Sequence, residues 1–365
     1  MRVAIVCDWL VGTGGAERVV LELHKMFPDA PIYTSQYNPN PKVWYDDKWF
    51  VDADIKTGWL STLPLDLRKF LPLFRAIYFS RLDLSGYDLV ISSSGAEAKF
   101  IKVKTPAVHI TYCHAPTHYY WARYEQYLKN PGFGWLDPLA RLGLRLLVGP
   151  MRTWDKRAAK RPDFFIANSN FTKQQVKKYY GRESEVIHPP VDIERFKPNP
   201  AGERHGFLAA GRQTPYKKIH LAVEACTKLG LPLTVIGTGP DHQRLVKLAG
   251  PTVNFITAAT DETLARHMAS AEAFIFPGVD DFGVVAVEAL AAGTPVVAYG
   301  KGGALDYVSK TTGLTFTEPT VDGLVSALTK FNKENFSPRL IRLFAARFSP
   351  EAFQKAMRAF IIRSS

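Results

Sequence analysis

Short runs of β-branched and aromatic residues alternate with longer helix-patterned stretches along most of this chain of 365 residues. That alternation constrains the fold more than any other feature, because strands joined through helical crossovers form parallel sheets. One group of strands is expected at RVAIVCDWL (2–10), YDLVISSS (87–94), AVHITYCH (107–114) and DFFIANS (163–169). A second is expected at GFLAAGR (206–212), PLTVIGTG (232–239), VNFITA (253–258), EAFIFPG (272–278) and TPVVAYG (294–300). Between them HPPVDIERFKPNPAGERHG (188–206) is rich in Pro and polar residues and poor in periodicity, as an interdomain linker would be. Each group should build its own sheet, so the expected class is α/β with two Rossmann-like, doubly wound domains. The boundaries read as 1–187 and 188–348. SPEAFQKAMRAFII (349–362) has a Ser cap, Pro at the first helical position and apolar residues at helical spacing, and predicts a terminal helix over 349–365.

Hydrophobic residues at 46% and charged residues at 22% are the composition of a globular protein. No apolar run reaches the roughly 18 to 20 residues of a spanning helix. MRVAIVCDWL is interrupted by Asp8 and reads as a buried strand rather than a signal peptide, which places the protein in the cytoplasm as an expectation. Cys7, Cys113 and Cys226 are far apart with no CxxC spacing, which argues for core thiols rather than disulfides or zinc. The net charge of +12 points to an anionic partner. Nucleic acid is disfavoured, since zinc-finger and RNP-type signatures are missing and the bases do not gather into one tract.

Doubly wound folds bind ligands outside the carboxyl ends of their strands. After the first strand, VGTGGAERVV (11–20) places Gly12, Gly14 and Gly15 ahead of a helix, where backbone can approach an anion closely. Neither this loop nor VIGTGPDHQRL (235–245) completes GxGxxG, which disfavours a dinucleotide dehydrogenase, and the second reads as a strand-to-helix turn. GRQTPYKK (211–218) delivers Arg212 and, five residues on, Lys217 to a strand end, a pair suited to a diphosphate. In PGVDDFGVVAVEALAAGTPVVA (277–298), Asp280 and Asp281 follow a strand, a helix is expected to begin near Phe282 and Gly283, and Glu288 lies two turns along it. A carboxylate among small apolar residues requires a polar partner, and a vicinal diol would serve.

Together these segments resemble the retaining GT-B glycosyltransferases of family 4, or group 1. The carriers of the resemblance are GGAERV, YCHAP (112–116), NSNFTKQQVKKYYG (168–181), HPPVDIERF (188–196), GR followed by Lys217, DFGVVAVEALAAGTPVV and GGALDYV (302–308). The family hallmark is two acids with seven residues between them, here Asp280 and Glu288. The resemblance implies the GT-B fold, two such domains facing a cleft with the nucleotide sugar held mainly by the second, a terminal helix crossing back to the first, and no required metal or cofactor. It implies that Arg212 and Lys217 neutralise the donor diphosphate and that Glu288 accepts from the ribose hydroxyls. Asp280 would face the hexose, with the Phe282 and Gly283 N–H groups nearby. His114 would contact the sugar close to the reacting carbon, and Gly14 and Gly15 would border the phosphates and the acceptor. Two positions depart from the pattern: Asp280 is shorter than the usual Glu, and APTHYYWARY (115–124) has His118 and Ala122 where Arg and Asp are common.

Within the family, YCHAP, SNFTKQQVKKYYG followed by IHPPVD, and GRQTPYKK are most similar to bacterial surface-polysaccharide mannosyltransferases, which favours GDP-mannose as donor. UDP-sugars stay open, as do a non-catalytic nucleotide-binding module and an NAD(P)-dependent enzyme. The implied reaction is hexosyl transfer with retention to a glycan or a polyprenyl-diphosphate-linked acceptor. LPLDLRKFLPLFRAIYFSRL (63–82) and PLARLGLRLLVGPMRTWDKRAAKR (138–161) interleave bases with large apolar residues. These suit either peripheral contact with an anionic membrane or amphipathic packing on the first domain.

Overall fold

A computed structural model describes residues 1–40, 48–65, 71–132, 134–196 and 203–364. The chain divides into two compact units, Met1–Pro189 with Gln354–Ser365, and Pro190–Phe353. The first contains β1 (Val3–Cys7), β2 (Ile32–Thr34), β3 (Ile55–Thr57), β4 (Leu89–Ser94), β5 (Val108–Cys113), β6 (Phe164–Ala167) and β7 (Glu185–Val186). They form one parallel sheet in the order β3-β2-β1-β4-β5-β6-β7. The second contains β8 (Phe207–Ala210), β9 (Leu233–Ile236), β10 (Val253–Ile256), β11 (Ala273–Phe276), β12 (Val296–Tyr299) and β13 (Gly313–Phe316), all parallel in the order β10-β9-β8-β11-β12-β13.

Both orders are those of a doubly wound sheet, and each reverses its growth once, between β1 and β4 and between β8 and β11. Loops leaving the carboxyl ends of those two strand pairs therefore diverge and leave a crevice, the usual place for a ligand. The central strands are buried along their whole length, which is why VAIVC and AFIF carry no polar alternation. Where polar residues enter the central sheet they are bonded: Ser92 Oγ lies 2.9 Å from His109 Nε2 and 2.7 Å from Thr111 Oγ1.

Cys7, Cys113 and Cys226 are buried free thiols, as expected, and burial pushes Cys226 up to about 12. The helix Pro350–Ser364 is capped by Ser349, whose Oγ accepts from the Ala352 amide at 3.2 Å. From Gln354 onward it belongs to the first unit, where Gln354 donates to Glu22 at 2.7 Å and Arg363 pairs with Glu185 at 2.8 Å. Of the expected linker 188–206, residues 197–202 lie outside the described residues, and the part before them is packed. Val191 and Phe196 are fully buried in the core of the second unit, and the Val191 amide donates to Phe348 O at 2.7 Å. No helix among the described residues is long and apolar enough to cross a membrane.

Candidate functional site

In the second unit the loops after β8 and β11 carry the acids and bases singled out in the sequence. The β8 loop is anchored by Gln213, which is fully buried, donates to Gly237 O at 2.6 Å and pairs with His242 Nδ1 at 2.7 Å. Gly237, at φ +119°, and Gly239 let the β9 loop lie against it, since a Cβ at either would come within 2.3 Å of a Gly211 or Gln213 carbonyl oxygen. These contacts explain the GxG of that loop without any phosphate. Arg212 is exposed and forms no ion pair among the described residues. Lys217 ends the 3-10 turn Pro215–Lys217 and binds the Asp280 carboxylate through its ammonium. Both side chains are largely buried, at 21% and 11% exposure.

That ion pair joins the carboxyl ends of two adjacent strands, β8 and β11. The backbones approach just as closely, because a Cβ at Gly278 would fall 2.8 Å from Lys217 O. On the other side the Gly303 amide donates to Asp280 O at 2.9 Å, and Gly302 and Gly303 leave no room for a side chain against residues 280 to 282. The acidic loop is thus held from two directions. A helix was expected to begin near Phe282 and Gly283; it runs from Val284 to Ala291, with Gly283 as its left-handed cap at φ +94°. Phe282 faces inward against Tyr307 and Phe348, and Tyr307 donates to Phe282 O at 2.9 Å. Only its backbone is therefore offered to a ligand. Glu288 is 9% exposed in the middle of this helix.

The remaining candidates lie in the first unit. His114 follows β5, with Nε2 2.7 Å from Ser93 Oγ and its carbonyl accepting from Asn168 Nδ2 at 2.9 Å, so ring and backbone are both fixed. Gly14 caps the helix Gly15–Met26 in extended backbone, and a Cβ there would meet Glu17 Oε2 at 2.7 Å.

Sequence reasoning missed a buried charged network beside His114. Asp8, after β1, accepts from the Gly95, Ala96 and Ala98 amides at 2.7, 2.9 and 2.6 Å, tying the β1 loop to the β4 loop at the crossover point of the sheet. Arg75 pairs with Glu97 at 2.8 Å and Lys99 with Asp155 at 2.8 Å, all four essentially inaccessible. Tyr119 and Tyr120 donate to Glu97, while Trp121 and Tyr180 donate to Asp155 at 2.7 and 2.8 Å. Burial pushes the Glu97 and Asp8 carboxyls up, against the pull of Arg75 and Lys99. Of the two readings open for 63–82, membrane contact or packing on the first domain, Arg75 follows the second and sits at the centre of this network; residues 66–70 of that stretch lie outside the described residues. Among the described residues, no three or more His, Cys, Asp or Glu side chains are grouped so as to hold a metal ion.

Comparison with known proteins places this arrangement. A GDP-mannose-dependent alpha-(1-6)-phosphatidylinositol monomannoside mannosyltransferase of Mycobacterium tuberculosis is 30% identical over 192 residues, 44% of this chain and 50% of that protein. A D-inositol 3-phosphate glycosyltransferase of Nocardioides is 30% identical over 188 residues, 41% of each. The chain thus spans about half the length of the curated relatives it matches. Among solved structures, Anabaena Alr3699/HepE in complex with UDP superposes with a TM-score of 0.69 over 100% of both chains at 18% identity. Sucrose-phosphate synthase from Thermosynechococcus elongatus superposes with 0.68 over 100% of this chain at 17% identity, so the GT-B fold is shared. The pattern described as "Glycosyl transferases group 1" matches residues 190–352, and that described as "Glycosyltransferase Family 4" matches residues 13–195. The chain belongs to glycosyltransferase family 4, with a second unit of the group 1 type.

Proposed function

We propose that the protein transfers a hexosyl group from a nucleotide sugar, with GDP-mannose the favoured donor, to a glycan or polyprenyl-diphosphate-linked saccharide, and that it does so with retention of anomeric configuration. The observation that carries this reading is the junction of Lys217 and Asp280 at the ends of adjacent strands, with buried Glu288 in the helix that follows. A GDP-mannose-dependent relative supports the donor. A UDP-sugar is the second reading, favoured by the fold shared with a protein solved with UDP.

In this reading Arg212 and Lys217 offset the diphosphate charge as the bond between the anomeric carbon and the phosphate oxygen breaks, with no metal called for. The acceptor hydroxyl oxygen bonds to that carbon on the face the phosphate leaves, and the departing phosphate oxygen takes the hydroxyl proton. Asp280 orients the hexose and the Phe282 and Gly283 backbone lines the donor in the second unit, while His114, Gly14 and Gly15 are the candidates the first unit offers for the sugar, the phosphates and the acceptor. Glu288 accepts from the ribose diol. Since Lys217 is bound to Asp280, the diphosphate has to share or displace that carboxylate. The enzyme would work in the cytoplasm, in peripheral contact with an anionic membrane carrying its acceptor. The test is proton NMR of donor turnover. Release or transfer of α-mannose from GDP-α-mannose supports the proposal; a first-formed β-product contradicts retention, and turnover of UDP-sugars alone replaces the donor.

A further inference from the structure

The helix Asp137–Ala158 has its apolar side reversed over its first half. Its buried residues, Val148, Met151, Asp155 and Ala158, all lie in the second half and on one side. At about 100° per residue, Leu139, Leu142 and Leu146 fall on the opposite side. They are 66%, 53% and 68% exposed, and Trp135, just ahead of the helix, is 88% exposed. An ordinary surface helix turns such a stripe inward, and a contiguous outward patch marks an interaction surface.

We propose that this face docks on an anionic lipid bilayer, the helix lying along the surface with Trp135 and the three leucines entering the boundary between headgroups and acyl chains. The proposal specifies the seat of the membrane contact invoked above and depends on nothing assumed about the donor. Charge selects the occupant. Between residues 134 and 161 there are seven Arg and Lys against two Asp, and one of those, Asp155, is buried against Lys99. Arg145, Lys156 and Arg157 are exposed around the apolar stripe. Bases flanking outward leucines suit anionic headgroups above an apolar interior. A second copy of the chain would set these bases against their own symmetry mates, which like-charge repulsion opposes. The helix lies on the bilayer rather than through it, since it is not apolar enough to cross.

Flotation of the full chain with phosphatidylcholine vesicles, with and without about a third phosphatidylglycerol, tests the proposal. The wild type should float only with phosphatidylglycerol and less as salt rises. Leu139→Ser, Leu142→Ser and Leu146→Ser combined should lower partitioning about a hundredfold, since the leucines supply the apolar insertion. Arg145→Glu with Arg157→Glu should also lower it. Wild type that stays with neither vesicle, or a triple variant that floats undiminished, overturns the assignment. A dimer dispersed by the serine substitutions would show instead that copies of this chain cover the face. The three positions are exposed, so the triple variant should keep the wild-type melting temperature. Flotation uses no donor, and nucleotide-sugar binding by the same variant tests the transferase reading separately.

Discussion

Asp280→Asn keeps the shape of the side chain beside Lys217 and removes its charge. Two unit charges about 4 Å apart in surroundings with an effective dielectric near 20 attract by roughly 4 kcal/mol. The pair is 21% and 11% exposed, so solvent screens it only in part. Much of that attraction is offset by the cost of desolvating both ions, and a hydrogen bond to a charged group is worth about 1.5–3 kcal/mol net. A diphosphate that competes with the carboxylate for Lys217, or is repelled by it, should therefore bind about 10- to 100-fold more tightly to Asp280→Asn. Guanosine and uridine, which lack the phosphates, should bind as before. Hexosyl transfer should fall, because the group facing the sugar has lost its charge. Titration calorimetry with GDP, UDP and the two nucleosides reads the first effects, and a transfer assay reads the last. Unchanged or weaker diphosphate binding would mean that Lys217 does not meet the phosphates.

Glu288→Gln should impair donor use, and the wild type should discriminate against a 2′-deoxyribose donor by at least about tenfold while the variant does so far less; a wild type indifferent to the deoxy donor removes Glu288 from the ribose. Arg75→Met strands Glu97 as a buried unpaired carboxylate and should cost about 3–5 kcal/mol in urea unfolding, whereas Arg75→Met with Glu97→Gln should recover part of the loss; equal losses would show that the two do not act as a pair. His109 is held down to about 3 by burial and by the nearby Arg161 and Arg182 charges. Its folded value lies below the unfolded one, so the unfolded chain takes up the proton first as pH falls. Stability should decline below about pH 6.5 by up to about 1.4 kcal/mol per pH unit until the folded value is reached, and His109→Gln should flatten that slope in denaturant titrations across this range.

The nine strands expected from sequence all form, because buried parallel strands leave continuous apolar runs that local pattern reveals. Those not anticipated are IYT, IKT, EV and GLTF. Two to four residues are too few to show a period, and each becomes a strand through its pairing with a neighbour. The acids and bases at the carboxyl ends of β8 and β11 were legible because a motif and a strand end coincide there. Their contact was not, since 63 positions separate Lys217 from Asp280 and only strand order makes β8 and β11 neighbours. Gln213 was passed over for the same reason: its two partners lie 24 and 29 positions away, across a loop pair. The network of Asp8, Arg75, Glu97, Lys99 and Asp155 is drawn from four segments, and nothing local separates Arg75 from a solvated base. Phe282, inside a functional motif, directs its side chain to the core, which leaves the backbone N–H as the group the resemblance assigns to the site.

The central claim, that the loops after β8 and β11 with the following helix hold a nucleotide sugar, is tested most directly by melting the protein with a panel of nucleotide sugars. A donor at 100 times its dissociation constant stabilises by about 2.7 kcal/mol, enough to raise the melting temperature measurably. Such a shift is expected with GDP-mannose, and a smaller one in Arg212→Ala and in Glu288→Gln, each measured against the same variant without ligand. A wild type that no nucleotide sugar stabilises, or a shift that survives both substitutions undiminished, would contradict that claim.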